Sequence, residues 1–130
     1  MKIFIDTGAW IAIADRNDQY AKIASQFYTD LILQRSHLVT SNLILVESFN
    51  LLSRTIGNKA TIKFGDTIKT NIFLIIETIT PTDWQKGWNI FGKYYDKDFS
   101  FTDCTSFAIM ERFPLKGGRQ VSLWLYLSFR

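Results

Sequence analysis

Asp6, Glu47 and Asp103 are carboxylates in settings that a purely structural role explains poorly. Asp6 lies in "IFIDTGAW", directly after the apolar run Ile3, Phe4, Ile5. Glu47 lies inside "LILVESFNLL", where burying a carboxylate without a partner is costly. Asp103 lies in "SFTDC", where Ser100 and Asp103 form the Ser-x-x-Asp pattern of a helix start. Two chemistries use such groups: a carboxyl pair that shares one proton, or acids gathered around a divalent cation. Each residue also has a bland role. Asp6 would cap the next helix, Glu47 would mark a narrow polar stripe, and Asp103 would close its own capping box.

The rest of the inventory narrows the chemistry to these acids. With one histidine (His37) and one cysteine (Cys104), the chain cannot assemble a usual zinc site by itself. A Ser-His-Asp triad would depend on His37, and no nucleophile elbow lies near it. "LKGGRQ" has two glycines but not the spacing of a phosphate loop. A single cysteine excludes an internal disulfide and suits a reducing cytoplasm. The start "MKIFIDTG" lacks the features of a secretion signal, and no run approaches the roughly 18 apolar residues of a membrane span. The net charge of +3 permits nucleic-acid binding without implying it. At 130 residues, 47% hydrophobic and 15% aromatic, the chain is expected to fold as one domain, 1–130, with a real core.

The elements that must position the acids alternate. Ile3 to Ile5, "HLVTS" and "NIFLIIETIT" read as strands, and the tail "RQVSLWLYLSFR" has strand-like composition. Ala9 to Ala14, Gln19 to Leu33, "NLILVESFNLLSRTIG", residues 58–69, "TDWQKGWNIFGKYY" and "SFTDCTSFAIMER" read as helices. Short buried strands between helices predict an α/β three-layer sandwich with a short, mainly parallel sheet flanked by helices. In open sheets of that kind, strand tips and helix starts converge on a crevice beyond the strand ends. The Asp-Thr-Gly-Ala of the first strand also occurs in retroviral-type aspartic proteases, but those are β-rich, whereas helical periodicity covers more than half of this chain. Glu77, in "LIIETI", has no assigned role and is expected at an exposed edge.

In three stretches taken together, the sequence resembles a PIN domain of the VapC toxin type. "IFIDTGAWIAIAD" matches the family's strand, Asp, small polar residue and apolar helix; "VTSNLILVESFNLL" matches the segment holding its Glu; "DKDFSFTDCTSFAIMER" matches its Ser-x-x-Asp helix start. The likeness covers roughly residues 1–112. It implies a small cytoplasmic ribonuclease that uses Mg²⁺ or Mn²⁺, with Asp6, Glu47 and Asp103 as metal-binding and catalytic residues. It further implies an RNA substrate, an inhibitory antitoxin, a homodimer, and products ending in a 5′-phosphate and a 3′-hydroxyl.

The end of the chain departs from that family. A fourth acid usually follows the last strand, then a Phe, whereas "FPLKGGRQVSLWLYLSFR", 113–130, holds no Asp or Glu. A changed reading frame or a divergent tail would both produce such an ending. Asp98 and Glu111 are the remaining acids near Asp103, and Asp98 fits better in a turn with Asp96 and Lys97. The alternative function is therefore a catalytically weak or inactive PIN domain that still binds an antitoxin or a sister subunit. A third is a small-ligand domain with its site at the strand ends. Lys59 and Lys63 are expected on a solvated helix face, and Cys104 as a packed side chain. Trp84, Trp88 and Phe91 are expected in the core or at an interface, Thr7 as a cap or a water-orienting group, and the tail as a final strand.

Overall fold

Short β-branched and aromatic runs become strands here, and each is followed by segments with helical spacing. The computed structural model describes residues 2–113 and 124–129. Strands β1 (Lys2–Ile5), β2 (His37–Ser41), β3 (Leu74–Glu77) and β4 (Trp124–Leu127) form one parallel sheet, ordered β3-β2-β1-β4. Parallel neighbours need long crossovers, which helices supply. Helices α1 (Thr7–Ala14) and α2 (Ala21–Leu33) lie between β1 and β2. Between β2 and β3 come α3 (Asn42–Thr55) and α4 (Asn58–Ile68), and between β3 and β4 come α5 (Pro81–Lys93) and α6 (Phe101–Arg112). The expected α/β sandwich with a parallel sheet is what forms. Among the described residues no helix is long and apolar enough to cross a membrane.

The two middle strands carry the core. Phe4, Ile5, Leu38 and Val39 have no exposed surface. Trp10 of α1 is equally buried, and its indole Nε1 donates to Thr40 Oγ1 at 3.1 Å, which in turn donates to the Ile5 carbonyl at 2.9 Å. That chain of bonds fixes α1 over the ends of β1 and β2. Phe4 stacks on Tyr126 of β4 with ring centroids 5.6 Å apart, and Phe113 meets Trp124 edge-on at 5.2 Å. Residues 124–127 of the tail thus form the expected final strand, in register with β1 from Lys2↔Trp124 to Ile5↔Leu127. Ser128 and Phe129 follow outside the strand, and residues 119–123 and 130 of that expected strand lie outside the described residues.

Several boundaries move for local reasons. β3 is shorter than the apolar run because the Asn71 side chain accepts from Phe73 N–H at 2.9 Å and makes a turn. Beyond it, Thr80 and Asp83 form a capping box that starts α5 at Pro81. That helix ends at Lys93, before the end of the expected helical segment "TDWQKGWNIFGKYY". A core role for its aromatic face is overturned: Trp84 and Trp88 are 53% and 55% exposed. Asp83 and Gly87, one turn apart, are the buried residues of α5, and a Cβ on Gly87 would sit 3.2 Å from the Thr105 backbone of α6. The small face turns inward and the aromatic face outward, with Trp84 and Trp88 resting edge-on against Phe101.

Glu77 is likewise not a bare edge residue. Its carboxylate pairs with Arg112 at 3.1 Å, and the same guanidinium reaches Asp83 at 2.8 Å. Burial alone would push the Asp83 carboxyl up, but the bonds from Arg112 and Thr80 outweigh it and hold it below its ordinary value. Arg112 is shifted up in turn, chiefly by its bond to Asp83. The Thr-x-x-Asp spacing of 80–83 was a readable signal for this buried acid, since it is the capping-box pattern.

Candidate active site

Parallel strands present their carboxyl ends together, and the helices that follow begin there. Asp6 occupies the turn from β1 into α1, fully buried, and its N–H donates to the Leu127 carbonyl at 2.9 Å. It stands at the N-cap position, yet its side chain makes no capping bond. Instead, Oδ2 accepts from the Ser128 hydroxyl at 3.1 Å. The capping role alone therefore does not account for this carboxylate.

Glu47 is carried by the second turn of α3, whose start is fixed by the Ser41 hydroxyl accepting from Ile44 N–H at 3.0 Å. It does not lie on a solvent stripe. Thr7 donates to its Oε1 at 2.6 Å and Thr102 to its Oε2 at 3.2 Å. Thr7 directly follows Asp6 and Thr102 directly precedes Asp103, so this carboxylate is clamped between the neighbours of the other two acids.

Asp103 is 7% exposed in the first turn of α6. The capping box expected from the sequence is present: its N–H donates to Ser100 Oγ at 3.0 Å, and its Oδ2 accepts from Ser100 N–H at 2.9 Å. Its other oxygen faces the Tyr126 hydroxyl at 3.5 Å. The charge is felt next door, since burial pushes the Cys104 thiol up and the Asp103 carboxylate raises it further. Cys104 itself is a buried, packed side chain. Asp98 and Glu111 are exposed, one in the loop before α6 and the other in its last turn.

The sequence thus identified three acids whose neighbours meet, but not the hydroxyls that hold them. Thr102, Tyr126 and Ser128 were missed because nothing in local spacing marks a hydroxyl for a partner 23 to 122 residues away. Thr7 holds Glu47, a role that neither of its expected ones described. A cleft of about 370 Å³ opens beside Glu47, with Thr7, Ser100, Tyr20 and Phe129 in its wall.

Oxygen-only donors of this kind suit a hard divalent cation and not zinc. Their spacing is a different matter. Among the described residues no group of three Asp, Glu, His or Cys side chains is set to hold a metal ion as it stands. Each carboxylate instead accepts from a hydroxyl or a backbone N–H. The donor types fit a cation.

Comparison with known proteins agrees with this architecture. The chain is 27% identical over 110 residues to the 23S rRNA-specific endonuclease VapC20 of Mycobacterium tuberculosis, in two strains, covering 85% of this chain and 81% of that protein. It superposes on the crystal structure of Mycobacterium tuberculosis VapC20, described as a Sarcin-Ricin loop cleaving toxin. The TM-score is 0.73 at 27% identity, over 85% of this chain and 82% of that one. The PIN domain family model matches residues 3–115, and with that match the chain belongs to the PIN domain family.

Proposed function

We propose that this chain is a metal-dependent endoribonuclease and the toxin of a toxin–antitoxin pair. VapC-type PIN nucleases in general depend on a divalent cation, act on RNA and are paired with an antitoxin. The observation that carries the proposal is the clamped Glu47, which ties the neighbours of Asp6 and Asp103 into one site at the strand ends. Supporting it is the similarity to a ribosomal RNA endonuclease over most of both chains. Structured ribosomal RNA is accordingly the substrate class proposed here.

Asp6, Glu47 and Asp103 are the residues proposed to hold Mg²⁺ or Mn²⁺. When bound, such an ion supplies an activated water and offsets charge at the scissile phosphate. Thr7 and Thr102 hold the Glu47 carboxylate in place by donating to its two oxygens. The capping box at the start of α6 fixes the Asp103 carboxylate. Hydrolysis adds the water oxygen to phosphorus and breaks the bond to the 3′ oxygen, which leaves with a proton. The products carry a 5′-phosphate and a 3′-hydroxyl.

One observation favours the weaker form of this function. The residue after β4 that reaches Asp6 is Ser128, a neutral group, so the site has less negative charge with which to attract a cation. Cleavage is therefore expected to need more metal than a four-acid site would. Titrating Mg²⁺ and Mn²⁺ against RNA cleavage, with Asp103→Asn as control, tests both points. Cleavage that Asp103→Asn does not diminish would remove the proposed site.

The partners follow from the same reading. An antitoxin and a second copy of this chain are proposed, with the exposed Trp84 and Trp88 face offering apolar surface to one of them. The cytoplasm, where ribosomal RNA is met, is the proposed location.

A further inference from the structure

The cleft beside Glu47 has an aromatic side that hydrolysis does not require. Tyr20 and Phe129 line it, with ring centroids 6.0 Å apart and planes tilted by 36°. Tyr20 sits in the turn before α2 and is held there from both sides. Its N–H donates to Asp18 Oδ1 at 2.8 Å, and its carbonyl accepts from Ala24 N–H at 2.8 Å. Phe129 follows Ser128, whose hydroxyl reaches Asp6, so this ring is one residue from the carboxylate site. Its φ is +58°, in the left-handed region that disfavours residues with a side chain. A strained backbone at a site wall calls for a functional explanation.

Both rings are only partly buried. Leu51 and Ile11 extend the apolar wall, while Gln19 and Ser100 put an amide and a hydroxyl on its rim. This is the make-up of a surface for an unpaired base: a flat apolar face for stacking, with hydrogen-bonding groups at the edge. We infer that Tyr20 and Phe129 form a stacking subsite for an unpaired nucleobase beside the carboxylate site of Asp6, Glu47 and Asp103. The inference rests on the nuclease function proposed above and adds to it the place where one base of the substrate is held.

The test is equilibrium binding, which does not depend on turnover. The probes are a fluorescein-labelled single-stranded oligoribonucleotide and the matching abasic ribose-phosphate oligomer, followed by anisotropy. Wild type is expected to prefer the base-bearing strand by about tenfold, the scale of one base stacked on an aromatic ring. Tyr20→Leu and Phe129→Leu should each lose most of that preference while binding the abasic oligomer as before. Tyr20→Trp should retain it, which separates stacking from a general loss of structure. A preference that survives in both Leu variants overturns the inference. Cleavage by wild type and Glu47→Gln, run in parallel, reports separately on the nuclease function. If neither cleaves but the Leu variants lose the base preference, the stacking subsite stands and the nuclease reading falls.

Discussion

Replacing Ser128 by Asp should make stability depend on metal. The Ser128 hydroxyl lies 3.1 Å from Asp6 Oδ2 and donates to it. Ser128→Asp exchanges that donor for a second negative charge. A hydrogen bond to a charged group contributes about 1.5–3 kcal/mol. Two like charges about 4 Å apart repel by ~1 kcal/mol in water and ~4 kcal/mol at an effective dielectric of 20. Because Ser128 is only partly buried, a net cost of about 3 kcal/mol without metal is reasonable. For a domain of this size that corresponds to a Tm lower by roughly 10 °C. A divalent cation offsets this cost, because the added carboxylate attracts it twice as strongly as it repels one neighbour. Even at the dielectric of water this gives ~2 kcal/mol, enough to tighten metal binding at least tenfold. The assay is thermal unfolding at pH 8 in EDTA and in Mn²⁺, with calorimetric titration of the metal. Ser128→Asp should be less stable than wild type in EDTA and gain more from Mn²⁺. An equal Tm loss under both conditions, with unchanged metal affinity, would refute the assignment of Ser128 to the carboxylate site.

Other perturbations probe the frame around it. Asp83→Asn should lower stability at pH 7 by about 2 kcal/mol, because it breaks a buried partner of the part-exposed Arg112. The folded Asp83 carboxyl lies below its ordinary value of 3.8, so its contribution is present above that pH and lost as pH falls further. Urea unfolding should thus show the wild-type advantage at pH 7 shrinking by pH 3. Gly87→Ala gains helix propensity, yet its Cβ would meet the Thr105 backbone at 3.2 Å, so α5 and α6 must part. A net loss of about 1–3 kcal/mol is expected, measured by the same unfolding curves. Trp84→Ser with Trp88→Ser removes the exposed aromatic face while leaving the Asp83–Gly87 side intact. Sedimentation should show weaker self-association where this face serves the proposed second copy; unchanged association would leave it to the antitoxin.

Some of this protein was legible in sequence because the physics is local. A capping box needs only Ser100 and Asp103 three residues apart, and both bonds form as expected. Strand and helix order followed from apolar spacing, which requires no knowledge of what packs where. The same locality shows why Asp6 and Glu47 were conspicuous: each breaks the pattern of its own element. What the acids do with their oxygens was decided only by tertiary structure. Asp6 meets Ser128 because β4 pairs with β1 in parallel register, which brings residues 122 apart side by side. Glu47 is clamped because α1, α3 and α6 all begin at the same end of the sheet, bringing in hydroxyls 40 and 55 residues away. Likewise, the aromatic stripe of α5 has the periodicity of a buried face. The fit of Gly87 against Thr105 and the pairing of Asp83 with Arg112 turn the helix the other way, since close packing rewards the face with the least bulk.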